Sequence, residues 1–109
     1  MATEQMMRNI DAMMASSTTM MRDLMTAHQG MSGDAHQMIG SMQGMFDQMR
    51  QFQAAMSTMS KNHELMANSD AMKLFNQAGK DFQQMGKTFN SMVKNLDKVM
   101  KGMHREPKN

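Results

Sequence analysis

Apolar residues recur along this chain at alternating steps of three and four, which keeps them on one face of a helix. The pattern covers three segments, at about residues 3–28, 35–66 and 70–104. Between them, the stretches GMSGD and ANSD are rich in glycine, serine, asparagine and aspartate, as expected of turns. The chain therefore predicts an all-α protein with three helices.

The apolar positions of each predicted helix form one seam with a period near 3.5 residues. This period favours helices that wind around each other with a left-handed, coiled-coil-like twist. In the second and third helices the seam continues over several heptads without a break. Its members are Ala35, Met38, Met42, Met45, Met49, Phe52, Met56, Met59, His63 and Met66 in the second helix, and Phe75, Ala78, Phe82, Met85, Phe89, Met92, Leu96, Val99 and Met103 in the third.

Three amphipathic helices with short connections predict an antiparallel three-helix up-down-up bundle, in a single domain over residues 1–109. The first helix is shorter than the second and leaves part of it uncovered. A homodimer is one way to cover the apolar surface near Met56 and Phe82. A four-helix bundle monomer is the alternative if Gly79 or Gly86 breaks the third helix, because glycine lowers helix propensity.

Methionine dominates the apolar residues, with 21 methionines in 109 residues and few other aliphatic side chains. The methionines must therefore fill the interior, whatever else they do. The chain has no cysteine, which excludes disulfides and thiolate metal sites and fits an oxidising compartment. We expect a periplasmic or secreted protein on this ground, although no signal peptide is visible.

The charge and the hydropathy of the chain limit the classes of partner that we expect. The formal net charge is only +2, and the arginines are scattered, so nucleic acid is not an expected partner. No apolar run approaches the length of a membrane span. Lysine recurs every seven residues on the side of the third helix opposite its seam, which predicts a solvated face. These lysines are at positions 73, 80, 87, 94, 101 and 108.

Several methionine and histidine pairs have the spacing of neighbours on a helix face. Thioethers are soft, neutral donors that suit Cu(I) and its mimic Ag(I), and imidazole adds a stronger donor. Three histidines are expected to gather at one end of the bundle, and layers of methionine are expected to meet between the first two helices. The candidate metal ligands are Met14, Met21, Met25, His28, Met31, His36, Met38, Met42, Met45, Met49, Met56, Met59, His63, Met66, Met100, Met103 and His104.

The elements Met25-x-x-His28, His28-x-x-Met31 and His63-x-x-Met66 in a cysteine-free helical chain resemble the Met/His-rich periplasmic copper- and silver-binding proteins of bacterial resistance systems. The layered bundle also looks like a methionine-based counterpart of the bacterial copper storage proteins, which use cysteine. The resemblance implies sequestration, storage or delivery of Cu(I), with several ions per chain, in copper homeostasis.

We also consider functions other than metal binding. The main alternative is a methionine-rich, adaptable apolar surface that binds hydrophobic helices or peptides. A sink for oxidants is a third idea, to which buried methionines would contribute poorly. We do not expect an enzyme, because the chain lacks a P-loop, an HExxH motif and a Glu-x-x-His pair.

Overall fold

The computed structural model describes residues 2–104, with side chains described for residues 2–103. Within this range the chain forms four helices and no strand, so the predicted all-α class is confirmed. The helices are α1 (Ala2–Ala27), α2 (Gly33–Met59), α3 (His63–Ala67) and α4 (Ser69–His104). They form an elongated bundle that measures 66 × 17 × 17 Å. The predicted side-chain roles of His104 and Lys108 lie outside the described residues.

The predicted second helix is two helices in the structure, which makes four rather than three. α2 ends at Met59, and α3 begins at His63 after a short turn. The Asn62 side chain accepts a hydrogen bond from the backbone N–H of Leu65 at 3.0 Å and so caps α3. Asparagine side chains compete with the helical hydrogen bonds of the backbone, which explains a break that apolar spacing alone does not predict.

The turn between α1 and α2 depends on two glycines. Gly30 and Gly33 have φ angles of 80° and 66°, in the left-handed region that other residues rarely adopt. His28 follows the end of α1 and continues its hydrogen bonding, since its N–H donates to the Leu24 carbonyl at 3.2 Å. The turn thereby holds His28 against the bundle, with only 3% of its surface exposed.

The central core is formed mainly by methionine and phenylalanine. α1 packs most closely against α4, less closely against α2, and α2 and α4 contact each other least. The buried apolar residues are Met6, Ile10, Met13, Met14, Met21, Leu24, Ala35, Met42, Phe46, Met49, Met56, Phe75, Phe82, Phe89, Val93 and Met100. α4 contributes three of the four buried aromatic rings among the described residues, Phe75, Phe82 and Phe89, whereas α1 and α2 contribute most of the buried thioethers.

Two glycines in α4 receive methionines from α1. A Cβ atom at Gly79 would overlap the thioether of Met6, and one at Gly86 would overlap the thioether of Met13. The helix continues through both glycines to His104, so the alternative in which either glycine breaks it is wrong. These glycines serve close packing, because only a residue without a side chain leaves room for the methionine.

Polar contacts also join α1 to α4. The Thr3 hydroxyl donates to Asn76 Oδ1 at 3.0 Å, and the Ser17 hydroxyl lies 2.6 Å from Asn90 Oδ1. Both hydroxyls belong to buried residues, so these bonds satisfy groups that would otherwise destabilise the interface. None of the helices within residues 2–104 is long and apolar enough to cross a membrane.

Candidate functional site

An open groove between α2 and α4 has a volume of about 680 Å³. We call it the Met/Phe groove, because methionine and phenylalanine form most of its wall. Its lining residues are Met45, Gln48, Met49, Phe52, Ala78, Asp81, Phe82, Met85, Thr88, Phe89 and Met92. The volume lies in the range of binding pockets in proteins, and the groove is therefore the leading candidate site.

The seam of α2 divides into two rows along this groove. The inner row points into the core and is 3–4% exposed, while the outer row is 41–49% exposed. Both rows repeat every seven residues, which is the heptad period of the seam. The inner row is Ala35, Met42, Met49 and Met56, and the outer row is Met38, Met45, Phe52 and Met59.

The opposite wall has the same organisation. On α4, Phe82 and Phe89 of the groove wall are buried, whereas Met85 beside them is 49% exposed and Met92 is intermediate. The two walls meet at the bottom of the groove, where ring centroids of Phe52 and Phe82 lie 4.8 Å apart and those of Phe46 and Phe89 lie 6.4 Å apart. Part of the apolar seam on each helix is therefore left exposed, including Met45 on α2 and Met85 on α4.

The rims of the groove carry little charge. Gln48 and Thr88 are neutral, and Asp81 is the one ionisable residue that lines the groove. The Asp81 carboxylate accepts a hydrogen bond from the Gln77 side chain at 3.1 Å. The lysines at 73, 80, 87, 94 and 101 are exposed, as predicted, and none of them lines the groove.

The predicted metal ligands differ in their burial. Met14, Met21, Met42, Met49, Met56, Met100 and His28 are buried. Met25, His36, Met38, Met45, Met59, His63, Met66 and Met103 are exposed, and Met31 is intermediate. Within residues 2–103, no three histidine, aspartate or glutamate side chains come together as a metal site. Thioethers are a separate case, because they are not among those donors.

His28 has a partner that the sequence did not indicate. Its Nε2 lies 2.8 Å from Asp97 Oδ1, and the other Asp97 oxygen accepts a 2.9 Å ion pair from Lys101 Nζ. The Lys101 hydrogen bond lowers the pKa of Asp97 below its ordinary value, burial opposes this, and the hydrogen bond from His28 adds to the lowering. A metal ion at His28 Nε2 would have to displace this carboxylate.

Thioethers do converge at the groove. Met45 and Met49 come from α2, and Met85 and Met92 come from α4. The last two were not among the predicted ligands, although they belong to the predicted seam of the third helix. The seam spacing identifies them as candidates once α2 and α4 are known to face each other across a gap. Comparisons of the chain with protein-family models, with curated proteins and with solved structures find no match.

Proposed function

We propose that the protein binds an amphipathic helix of a partner protein in the Met/Phe groove. The observation that supports this is an incompletely buried apolar row on each wall with heptad spacing, formed by Met45 and Phe52 on α2 and by Met85 and Met92 on α4. A partner helix with apolar side chains at positions i, i+3, i+4 and i+7 would cover both rows, as in other helix-in-groove complexes.

The arrangement of the long helices supports a vacant helix position. The two α1–α4 hydrogen bonds join residues separated by the same 73 positions, so we infer that these helices run in one direction. The two phenylalanine pairs occur in opposite order along α2 and α4, so α2 runs the other way, which gives the up-down-up course. α1 contacts both α2 and α4, whereas α2 and α4 contact each other least. We infer that these three helices occupy three corners of a four-helix bundle.

The chemistry of the groove favours an apolar helix over a charged one. Methionine is unbranched and flexible, so a methionine-lined wall adapts to ligands of different shape. Among the described residues, Asp81 is the one ionisable residue that lines the groove, so the lining offers little electrostatic attraction to a strongly charged partner. We therefore expect recognition by apolar anchors, with little dependence of the affinity on salt concentration.

The test uses a fluorescein-labelled 21-residue peptide with leucine at the a and d positions of three heptads and alanine, glutamine and lysine elsewhere. We expect saturable binding by fluorescence anisotropy. Met45→Gln with Met85→Gln should weaken it by roughly tenfold or more, because two polar amides enter the apolar interface. Met25→Gln with Met103→Gln is the matched control, since both residues are exposed and do not line the groove.

Absence of saturable binding overturns the proposal. An equal loss of affinity in the control pair would also contradict it, because that result would assign the effect to general surface polarity. Both pairs of variants are checked by far-UV circular dichroism, so that a change of fold is not mistaken for a loss of the interface.

A second candidate is soft-metal binding, with sequestration, storage or delivery of Cu(I) as the role. The observation in its favour is that four thioethers from two helices line one solvent-open groove. Thioether donors fit Cu(I) and Ag(I) by their softness. These ligands would be Met45, Met49, Met85 and Met92, in addition to the buried methionines of the core.

Titration of the apo protein with Cu(I) against a chromogenic chelator tests this candidate. Competition, together with a higher melting temperature in Ag(I), supports it by the linkage of ligand binding to folding. Leucine at 45, 49, 85 and 92 keeps the groove apolar and removes the sulfur. Loss of metal binding with retained peptide binding would assign the thioethers to the metal, and failure to compete with the chelator overturns the candidate.

A further inference from the structure

We infer that Met45 and Met85, the half-exposed methionines that line the Met/Phe groove, form an oxidation site that controls access to this groove. The control of binding rests on the proposed helix-binding function, while the selectivity of oxidation stands independently of it. Met45 and Met85 are 46% and 49% exposed, whereas Met42 and Met49 are 3% and 4% exposed. The structure therefore separates one residue type into a reactive row and a protected row.

Because of the amino-acid composition, methionine is the main target of an oxidant in this chain. The chain contains no cysteine, tryptophan or tyrosine, so the side chains that usually compete for oxidants are absent. A buried thioether reacts only when its surroundings open, and opening of a packed core costs free energy. The exposed methionines, which include Met45 and Met85 in the groove and Met25, Met66 and Met103 outside it, therefore react before the buried inner row.

The reaction needs a two-electron oxidant, for which hydrogen peroxide is sufficient. The thioether sulfur attacks one peroxide oxygen, a new S–O bond forms and the O–O bond breaks. Sulfur is oxidised to the sulfoxide, the peroxide is reduced, and water leaves after proton transfer to the departing oxygen. Methionine sulfoxide is reducible by enzymes that act on each of its two epimers, so the change is reversible.

Oxidation alters the groove more than the bundle. A sulfoxide is polar and accepts hydrogen bonds, so burial of it under an apolar helix without a donor is unfavourable. Met45 and Met85 lie on opposite walls, and oxidation of both places a polar group on each side of a docked helix. The inner row keeps its thioethers, so the core that joins the helices remains intact.

The experiment treats the purified protein with dilute hydrogen peroxide and maps sulfoxides by peptide mass spectrometry over time. We expect Met38, Met45, Met59 and Met85 to oxidise roughly tenfold faster or more than the inner row. Far-UV circular dichroism should remain unchanged at the stage when binding of the 21-residue peptide is lost. Methionine sulfoxide reductase should then restore binding.

Two leucine variants test separately how the exposed and the buried methionines contribute to the effect of peroxide. Leucine at 38, 45, 59 and 85 removes the sulfur of the outer row of α2 and of Met85 on α4, and the variant should bind the peptide with or without peroxide. Leucine at 42, 49 and 56 is the matched control, and its binding should remain sensitive to peroxide. Equal sensitivity of the two variants would overturn the inference.

The mapping distinguishes two kinds of failure. Equal oxidation rates in both rows refute the oxidation site, whatever the peptide does. Selective oxidation with unchanged peptide binding refutes the control of access but leaves the proposed helix-binding function in place. If the untreated protein does not bind the peptide, the helix-binding function and the control of access are both wrong, and the mapped selectivity alone decides whether the oxidation site exists.

Discussion

Replacement of Gly79 by alanine tests the packing of α1 against α4. Alanine favours a helix over glycine by about 1 kcal/mol, so a site with free space should become more stable. At Gly79 the new Cβ would overlap Met6, and the side chain must move out of a packed interface. Gly44 is the matched control, because it also lies within a helix and a Cβ there meets nothing within 4 Å.

The two substitutions should differ in sign. Overpacking costs about 1–3 kcal/mol, and the gain in helix propensity offsets about 1 kcal/mol of this cost. Gly79→Ala should therefore lower the free energy of unfolding by roughly 0–2 kcal/mol. Gly44→Ala should be stabilised by about 0.5–1 kcal/mol. In a chain of this size, 1 kcal/mol corresponds to a shift of about 4 °C in melting temperature. Gly86→Ala, which faces Met13, should behave as Gly79→Ala does.

Urea unfolding followed by circular dichroism at 222 nm measures these free energies. Met6→Ala in the Gly79→Ala background should cost less than Met6→Ala alone, with a coupling of about 1 kcal/mol or more, because the smaller side chain removes the overlap. Equal stabilisation by Gly79→Ala and Gly44→Ala would refute the reasoning. It would mean that Met6 does not lie against Gly79.

Three further predictions concern the core and the end of the bundle. The pKa of Asp97 is lowered in the folded state, so its contribution to stability is present above about pH 4 and is lost as the pH falls through the lowered value. Asp97→Asn should therefore make the free energy of unfolding depend less on pH in the acid range. A pH profile identical to that of the unchanged protein would contradict this. Ser17→Ala removes the buried hydrogen bond to Asn90 and should cost about 1–2 kcal/mol in urea unfolding, against no measurable cost for the exposed Ser16→Ala. Met42→Leu conserves side-chain volume and should change the unfolding free energy by less than about 1.5 kcal/mol, so a larger loss would indicate a role for its sulfur beyond packing.

Local pattern determined the helical class and most of the buried positions. The three–four alternation is a property of neighbouring residues, and one apolar seam requires a helix that buries it. It placed Met14, Met42 and Phe82 in the core, where the structure has them. The break before α3 was missed, because a single asparagine cap at Asn62 outweighed a regular apolar pattern.

Tertiary structure decided which half of each seam is covered. Met42 and Met45 have the same side chain, three residues apart on one seam, and one is buried while the other is 46% exposed. That difference depends on where α1 and α4 lie relative to α2, which periodicity does not specify. The same holds for the histidines, because His28 is buried beside Asp97 while His36 is exposed.

The glycines of α4 show the same division between local and tertiary effects. By propensity, Gly79 and Gly86 are weak points of a helix, and the sequence alone allowed a break there as the alternative to one continuous third helix. In the structure each glycine makes room for a methionine of α1, so the helix is retained by packing. The sequence by itself determined helices and apolar faces, since these depend on residues three or four apart. Which faces met, and which remained open as the Met/Phe groove, was decided by contacts between residues more than 30 positions apart.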